Sequence, residues 1–319
     1  MQKSFYSNGK LLLTAEYAVL DGALALALPT KHGQSLEITS SSDYNLKWKS
    51  LDHNKKIWLE DEFIFEQVNF PFVYDHSQTL EDRTDASKRL LNILHSANQL
   101  NDDFLSDFLD SGKGLQVTTQ LDFPKNWGLG TSSTLINNIA DWANIDPYKL
   151  LELTFGGSGY DIACAQHNTP ITYELTKESR IVTPVHFNPD FKDHLYFVYL
   201  NKKQNSRHSI AHYKKSKHQI DTFIPEINTI TQEIITCKTL SDFAILITAH
   251  ELLISKLIKT PRIKDTLFPD YDGSIKSLGG WGGDFILVTS KEHPKVYFEA
   301  KGFNTIIKYS DMILSKKLH

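Results

Sequence analysis

The sequence predicts an α+β fold, and three observations support that prediction. Short runs with strand character fill most of residues 4–65, a helical stretch covers about residues 209–259, and strand-like runs return after it. The strands come in groups instead of alternating strictly with helices, which favours α+β over a doubly wound parallel sheet. A chain of 319 residues is long enough for one large domain or two.

The N-terminal strands are separated by turn residues such as Asp43 and Asn45. Their sequences are ALALALPT, SLEITSSS, NLKWKSL and KIWLEDEF. NLKWKSL alternates apolar and polar residues with a period of two, as a half-solvated antiparallel strand does. ALALAL alternates as well, but its Ala and Leu residues fit a buried strand and a turn of helix equally.

Helices are predicted in the middle of the chain. The first covers residues 82–99, with Asp82 or Thr84 as its N-cap. Its apolar stripe consists of Leu90, Leu91, Ile93 and Leu94. A strand at 115–121 then leads through a glycine-rich turn into a helix from Ser132 to about Ala143.

A further helix begins at Asp146-Pro147, since Asp is a good N-cap and Pro suits the first helical position. Strands are then predicted for PITYEL, RIVTPVHF and HLYFVYL. The helical stretch that follows is expected to break near Pro225 and near Thr239-Leu240. DFILVTS and KVYFEAKGF are predicted as the final strands. We place the domain boundary so that residues 1–180 and 181–319 form two domains.

Composition excludes several classes of protein. The formal charge of −4 provides no broad basic field, so nucleic acid is not expected as a partner. No window approaches the roughly 20 apolar residues of a membrane span, and the N-terminus lacks a secretory pattern. The two cysteines, Cys164 and Cys237, show no disulfide or zinc spacing. We expect a cytoplasmic protein with no membrane partner.

The stretch FPKNWGLGTSST, residues 123–134, places two glycines and several hydroxyl residues directly before a helix. The N-terminus of a helix carries unpaired N–H groups and partial positive charge, so it binds phosphate without Lys or Arg. Gly128 and Gly130 let the backbone approach such a ligand closely. The alternative is an ordinary strand–turn–helix joint with a Ser or Thr cap.

Four motifs in order resemble those of the GHMP small-molecule kinases, and together they span residues 8–288. PKNWGLGTSST is similar to the family's P-x-x-x-G-L-G-S-S-A-A, and NGKLLLTAEYAVLDG resembles its N-terminal motif with Asn8 for Pro and Ala15 for Gly. GSGYDIACA resembles the S-G-x-D segment of mevalonate and phosphomevalonate kinases. SLGGWGGDFILV resembles the C-terminal glycine-rich loop, with Trp281 inserted.

The resemblance implies a GHMP-type fold of two α+β parts. The N-terminal part would be an α/β domain with a left-handed strand crossover, and the C-terminal part would be ferredoxin-like. It also implies ATP and Mg²⁺ as cofactors. The residues expected to bind ATP are Gly128, Leu129, Gly130, Thr131, Ser132 and Ser133, joined by Gly280, Gly282 and Gly283 of the C-terminal loop.

The catalytic residues that the resemblance implies are Asp161 and Lys10. Asp161 would orient or deprotonate the acceptor, and Lys10 would neutralise charge beside it, because a neighbouring cation keeps a carboxylate ionised. Each has an alternative reading. Asp161 suits the cap of a helix beginning near Ile162, and Lys10 suits a solvated lysine at the end of a strand.

The Mg²⁺ ligands implied are Ser132 and Glu152, the latter being the only carboxylate between Asp146 and Asp161. A solvated helix Glu is an equally good interpretation of Glu152. Glu16 matches an acidic position of the N-terminal motif. It is a candidate for substrate binding, with a structural bond to the turn as its alternative.

Acceptor binding is further assigned to Ser158 and Gly159, and to Lys202 and Arg207 in the cationic stretch YLNKKQNSRHS. A substrate that already carries a phosphate or carboxylate would need such a counter-charge. A solvated loop is the alternative for this stretch. The C-terminal glycine-rich loop is likewise either an anion-binding nest or a hairpin joint.

The motifs resemble the mevalonate branch of the family most, which implies phosphorylation of mevalonate or phosphomevalonate in isoprenoid precursor synthesis. A kinase for homoserine or a sugar, and a decarboxylase of the same fold, remain open. So do a non-catalytic nucleotide-binding protein and an α+β binding protein with a chance glycine-rich turn. The expected partner is a small-molecule substrate, and a homodimer stays open.

Overall fold

The structure is a computed structural model that describes residues 2–43, 45–64, 84–106, 113–203, 206–216 and 220–314. The chain divides into two compact units, each built from separate segments. The first unit comprises Met1–Gly9, His32–Lys125 and Gly130–Gln166, and the second comprises Lys10–Lys31, Asn126–Leu129 and His167–His319. The mixture of helices and sheets confirms the predicted α+β class. The boundary at residue 180 stays a prediction.

The strands of the first unit form a mixed β-sheet with the order β4-β3-β5-β2. β1 pairs with β2. Their bounds are β1 Gln2–Leu12, β2 Ala25–Ser41, β3 Asn45–Leu51, β4 Ile57–Ile64 and β5 Gly114–Leu121, of which β1 and β2 continue into the second unit. β3 is parallel to β5 and antiparallel to β4. In β3, every second residue is buried, as its alternating sequence predicts.

β2 is a single strand of 17 residues, where two separate strands were predicted. The backbone between the two runs stays extended instead of turning. Gly33 lies within this section, and a Cβ there would lie 2.2 Å from the carbonyl oxygen of Ser7. Glycine at this position therefore serves close backbone approach within the sheet, not a turn.

The described residues of the first unit also form the helices α1 Asp85–Leu100, α2 Thr131–Ala143, α3 Pro147–Thr154 and α4 Tyr160–Gln166. α2 packs against the other three helices. The predicted caps are present, because Thr84 accepts from the N–H of Ser87 and Asp146 accepts from the N–H of Tyr148. Asp82, the other cap candidate, lies outside the described residues. The core between sheet and helices includes Leu46, Trp48, Leu94, Val117, Ile136 and Ile139.

The second unit contains a sheet of order β11-β8-β10-β9 and the strand pairs β2–β6 and β6–β7. Its strands are β6 Ile171–Leu175, β7 Arg180–Pro184, β8 Leu195–Tyr199, β9 Ile275–Ser277, β10 Phe285–Thr289 and β11 Ile306–Lys308. Its helices are α5 Ser206–Ser216, α6 Ile220–Thr236, α7 Leu240–Ile258, α8 Ile263–Leu267, α9 Lys295–Ala300 and α10 Tyr309–Met312. None of the described helices is long and apolar enough to cross a bilayer.

Two predictions in this unit are wrong. Pro225 lies inside α6 and does not end it, whereas the break at Thr239 is present as the N-cap of α7. The segment KVYFEAKGF is not a strand, because α9 covers residues 295–300. Pro294 precedes this helix and Gly302 follows it with φ 87°, which is the usual placing of these two residues around a helix.

Candidate active site

The glycine-rich turn leads directly into α2, as predicted. Gly128 and Gly130 have φ of 72° and 99°, a left-handed conformation that favours glycine. Gly130 is the residue before the first turn of α2, and no side chain caps this helix. Ser132 is exposed in the first turn, whereas Ser133 is buried and its hydroxyl donates to the Gly130 carbonyl at 2.9 Å. The helix end therefore presents backbone N–H groups and the Ser132 hydroxyl.

Besides its left-handed φ, a second feature favours glycine at position 128: the carboxylate of Asp284 lies close to its Cα. A Cβ on Gly128 would lie 2.7 Å from Cγ of Asp284. Asp284 is buried, and its Oδ2 accepts from the N–H of Gly280 at 3.4 Å. Asp284 was not among the predicted site residues, although its place directly after a Gly pair and before β10 was a usable signal.

Lys10 binds the same turn twice. Its backbone N–H donates to the carbonyl of Leu129 at 2.9 Å, and its ammonium group donates to the carbonyl of Gly128, also at 2.9 Å. The side chain is half-buried. Lys10 is thus fixed beside the turn that precedes α2, which differs from the solvated lysine of the alternative interpretation.

Asp161 lies in the first turn of α4, after a stretch in which Gly156, Gly157 and Gly159 all have positive φ. It is half-buried, and its Oδ1 accepts from the N–H of Ile162 at 3.1 Å. The bond is to the next residue in the chain, and Asp161 is the second residue of α4, so it lies inside the helix and is not the N-cap of the alternative reading. The predicted acceptor-binding residues Ser158 and Gly159 are buried just before it. Within the first unit, α4 packs against α2, the helix that carries Ser132.

The predicted metal ligands do not form a cluster that could hold an ion by itself. Glu152 is exposed on α3. No group of three His, Cys, Asp or Glu side chains in the described residues could hold a metal. Magnesium often binds through one or two protein oxygens together with substrate phosphates. Ser132 and Glu152 are oxygen donors of the kind Mg²⁺ uses, so the residues fit an ion that arrives with a nucleotide.

The glycine loop, which we define as residues 278–283, joins β9 to β10. Four of its N–H groups have partners. Gly283 donates to the Gly280 carbonyl at 3.2 Å, and Gly280 donates to Asp284. Leu278 donates to the Phe285 carbonyl at 3.0 Å, and Trp281 donates to the Tyr17 hydroxyl at 2.9 Å. Gly282 has φ 89°. Trp281 is buried, and its indole N–H donates to the carbonyl of Pro261 at 2.9 Å. Trp281 therefore anchors the loop.

The cationic stretch is only partly described. Lys202 is exposed, and its carbonyl accepts from the N–H of Asp284 at 2.7 Å, which ties this stretch to the end of the glycine loop. Arg207 lies in α5, and its side chain is outside the part of the chain that the structure describes. Its predicted role in acceptor binding stays a prediction.

Glu16 is part of a buried charged cluster that no sequence pattern predicted. Lys276 is fully buried and forms ion pairs with Glu16 and, at 3.1 Å, with Glu251. Glu251 also accepts from the N–H and hydroxyl of Ser277, both at 3.0 Å. Glu16 is only 2% exposed, which favours its structural alternative over direct substrate binding.

His250 completes this cluster as a neutral residue. Its Nε2 accepts from the N–H of Ala15 at 2.8 Å, and burial with the nearby Lys276 charge holds the pKa of His250 well below its ordinary value. Burial also raises the pKa of Glu16 to about 7, against the opposing attraction of Lys276. The sequence signal that could have indicated this cluster was the presence of ionisable residues inside largely apolar elements: His250 and Glu251 in α7, and Lys276 in β9.

Comparisons with known proteins bear on the fold of the chain. No family model matches the sequence, and no curated protein matches it. Among solved structures, L. major mevalonate kinase in complex with R-mevalonate is similar, with a TM-score of 0.66, 15% identity and coverage of 99% of this chain and 97% of that one.

Two further solved structures are similar over nearly their whole length. Streptococcus pneumoniae phosphomevalonate kinase in complex with phosphomevalonate and AMPPNP has a TM-score of 0.65 and 16% identity, covering 96% of this chain and 99% of that one. Lactococcus lactis galactokinase complexed with galactose has a TM-score of 0.63 and 13% identity, covering 99% and 95%. The predicted fold is confirmed: this chain has the fold of the GHMP kinases.

Proposed function

We propose that this protein is a small-molecule kinase that transfers the γ-phosphoryl group of ATP to an acceptor hydroxyl or phosphate. The observation that carries the proposal is the start of α2, where left-handed Gly130 precedes a helix that no side chain caps. Such an end favours an anion through its N–H groups and dipole. The GHMP kinase fold and the four motifs in order support the same interpretation.

In this proposal, the first turn of α2 binds the phosphates of ATP, and Ser132 and Glu152 contribute oxygen ligands to Mg²⁺. The ion, when bound, neutralises charge on the phosphates. Phosphoryl transfer needs positioning and charge neutralisation more than covalent chemistry. Lys10, fixed at the turn by two hydrogen bonds, adds positive charge close to the chain segment that contacts the phosphates.

Asp161 is proposed to orient the acceptor and take its proton. Its position in the first turn of α4, after three glycines with positive φ, places a half-buried carboxylate at the start of a helix. A general base needs to reach the proton it removes, and a carboxylate that is half-buried stays accessible to a substrate.

For the acceptor, we propose mevalonate or phosphomevalonate, which would place the protein in isoprenoid precursor synthesis. The sequences AEYAVLDG and GSGYDIA support this choice, as do structural neighbours that bind these two compounds. The galactose-bound neighbour keeps a sugar kinase as the second candidate. Cytoplasmic location and a homodimer stay predictions.

The test is ADP release with ATP–Mg²⁺ and each of mevalonate, phosphomevalonate, homoserine and galactose, with a control lacking acceptor. We expect acceptor-dependent release with one compound. Asp161→Asn is expected to lower turnover by at least about 100-fold with an unchanged melting temperature, since it removes only the base. Release that no acceptor stimulates, or full activity of Asp161→Asn, would contradict the proposal.

A second variant addresses the nucleotide. Ser132→Ala is expected to weaken the use of Mg–ATP while leaving the KM of the acceptor unchanged. Ser133 was also expected to bind ATP, but its hydroxyl is buried and donates to the Gly130 carbonyl, so Ser133→Ala is the comparison variant and should change less. An identical ATP and Mg²⁺ dependence in wild type and Ser132→Ala would count against the role of Ser132.

A further inference from the structure

The turn at Ala15–Tyr17 is strained. Ala15 and Tyr17 both have φ 63°, and the N–H of Ala18 donates to the carbonyl of Glu16 at 2.7 Å. This bond closes a γ-turn around Tyr17, whose ψ is −44°. A γ-turn with positive φ at its central residue is rare and strained, most of all when that residue is not glycine. Such a conformation persists only where the surroundings fix it.

Buried side chains fix the first two residues of this turn. The N–H of Ala15 donates to Nε2 of His250 at 2.8 Å. The carboxylate of Glu16 pairs with Lys276, which is fully buried. An ionised lysine leaves water only when such partners compensate its lost solvation. The Glu16–Lys276 contact is therefore a strong constraint, because Glu16 would be an unpaired buried charge without Lys276, whereas Lys276 would retain Glu251.

The third residue of the turn contacts the glycine loop directly. The hydroxyl of Tyr17 accepts from the backbone N–H of Trp281 at 2.9 Å, and the Tyr17 ring stacks on Tyr213 with centroids 5.7 Å apart. Lys276 lies in β9, two residues before the loop begins. The turn thus holds the loop at two places: before it through Lys276 and at its middle through Trp281.

We propose that the Ala15–Tyr17 turn and Lys276 are positioning residues that hold the glycine loop, residues 278–283, in the conformation that binds the nucleotide. This inference rests on the proposed function. A segment with four glycines loses much conformational entropy when it is ordered. A scaffold that orders the segment beforehand removes that cost from binding. The strain in the turn is then the result of aligning three contacts at once.

Two variants and a control test the proposal. Tyr17→Phe removes the acceptor for the Trp281 N–H, and with it the hydroxyl's hydrogen bond with Ser209, but keeps the stacked ring. Glu16→Gln keeps the size of the side chain and removes its charge. Tyr271→Phe is the control, since its hydroxyl is also buried and donates to the carbonyl of Thr289 at 3.0 Å, at the other end of β10 from the loop.

The measurements are amide hydrogen exchange of the peptide covering the glycine loop, the Kd of AMPPNP–Mg²⁺, and kcat with the acceptor that supports turnover. For Tyr17→Phe, we expect loop exchange to become about fivefold faster and AMPPNP binding about fivefold weaker, the effect of one net hydrogen bond, with kcat within about twofold of wild type. Tyr271→Phe is expected to change none of the three.

Unchanged loop exchange in a folded Tyr17→Phe protein would overturn the proposal. Faster exchange with unchanged AMPPNP affinity would overturn the positioning role as well. If Glu16→Gln fails to fold, Tyr17→Phe still decides the question. Absence of turnover with every acceptor would contradict the proposed function alone, since exchange and AMPPNP binding do not depend on turnover.

Discussion

The ammonium group of Lys10 donates to the carbonyl oxygen of Gly128 at 2.9 Å, while the backbone N–H of Lys10 donates to Leu129. One residue therefore binds two successive carbonyls of the turn that precedes α2. The backbone bond would survive any substitution of the side chain except proline. A side-chain substitution at Lys10 therefore removes the charge and the bond to Gly128 while it keeps the backbone bond of β1 to Leu129.

Lys10→Met is expected to lower kcat by about 100-fold or more, because it removes the cation that we propose neutralises developing negative charge. The melting temperature should change little, since the backbone bond to Leu129 remains. Lys10→Arg keeps the charge and serves as the matched variant. Steady-state kinetics and thermal unfolding check both; a Lys10→Met enzyme with a kcat close to that of wild type would exclude this role.

Gly128→Ala is expected to destabilise the fold by about 2–3 kcal/mol, because it adds left-handed strain and a clash with the Asp284 carboxylate. Gly156→Ala is the matched control: its φ is 65°, and a Cβ there would meet nothing within 4 Å. That variant should cost only about 1 kcal/mol. Urea unfolding measures both; equal losses would show that close approach at Gly128 is not important.

Thr84→Ala is expected to lower the free energy of unfolding by about 1 kcal/mol, since Thr84 accepts from the N–H of Ser87 at the start of α1. Thr84→Ser retains the hydroxyl and should stay within a few tenths of a kcal/mol. Urea unfolding of the three proteins provides the comparison. A loss in Thr84→Ser as large as that in Thr84→Ala would assign the effect to the methyl group instead.

The buried cluster predicts a pH-dependent stability. The pKa of Glu16 rises from its ordinary 4.5 to about 7 on folding, through burial and the neighbouring charge of Glu251, against the attraction of Lys276. The folded protein then binds more protons than the unfolded chain, so this group lowers stability as the pH rises from 4.5 to about 7. His250 acts oppositely: its pKa falls on folding, so its contribution is lost as the pH drops below 6.5.

Glu16→Gln should therefore become more stable relative to wild type as the pH rises through this window, by at most about 3 kcal/mol. His250→Gln should instead lack the part of the fall in unfolding free energy below pH 6.5 that His250 causes in the wild type. Urea unfolding at intervals from about pH 4.5 to about pH 8.5 resolves the two slopes. Variant curves that run parallel to the wild-type curve would show that neither group changes its protonation on folding.

Local rules were sufficient where a single residue decides the outcome. Asp146 was predicted as an N-cap, and Thr84 as one of two candidates with Asp82, because such side chains satisfy backbone donors that every helix start leaves open. The glycine-rich turn was predicted because only glycine adopts its left-handed φ freely. These outcomes depend on neighbours in sequence, so the sequence contains the necessary information.

Tertiary packing decided the cases where prediction was wrong. Pro225 breaks the hydrogen-bond ladder of an isolated helix, but α6 buries Ile227, Ile230 and Ile234 beyond it, and that burial outweighs one lost bond. In α9, Phe298 is fully buried, whereas Val296 is 84% exposed. The apolar residues of KVYFEAKGF are therefore not all core residues, and their presence was a poor indicator of a buried strand. The cluster around Lys276 joins three distant segments, which no local pattern can reveal.

The long strand β2 has a consequence for synthesis of the chain. Residues 25–27 pair with 171–173 of β6, whereas residues 34–41 pair with 114–121 of β5. At roughly 5–20 residues per second, a ribosome needs on the order of ten seconds or more to make β6 after residues 25–27 have emerged. During that time, the apolar run ALALAL lacks one of its native neighbours, β6. The nascent chain therefore depends on non-local pairing that forms late and slowly, and this is the stage at which aggregation would compete with folding.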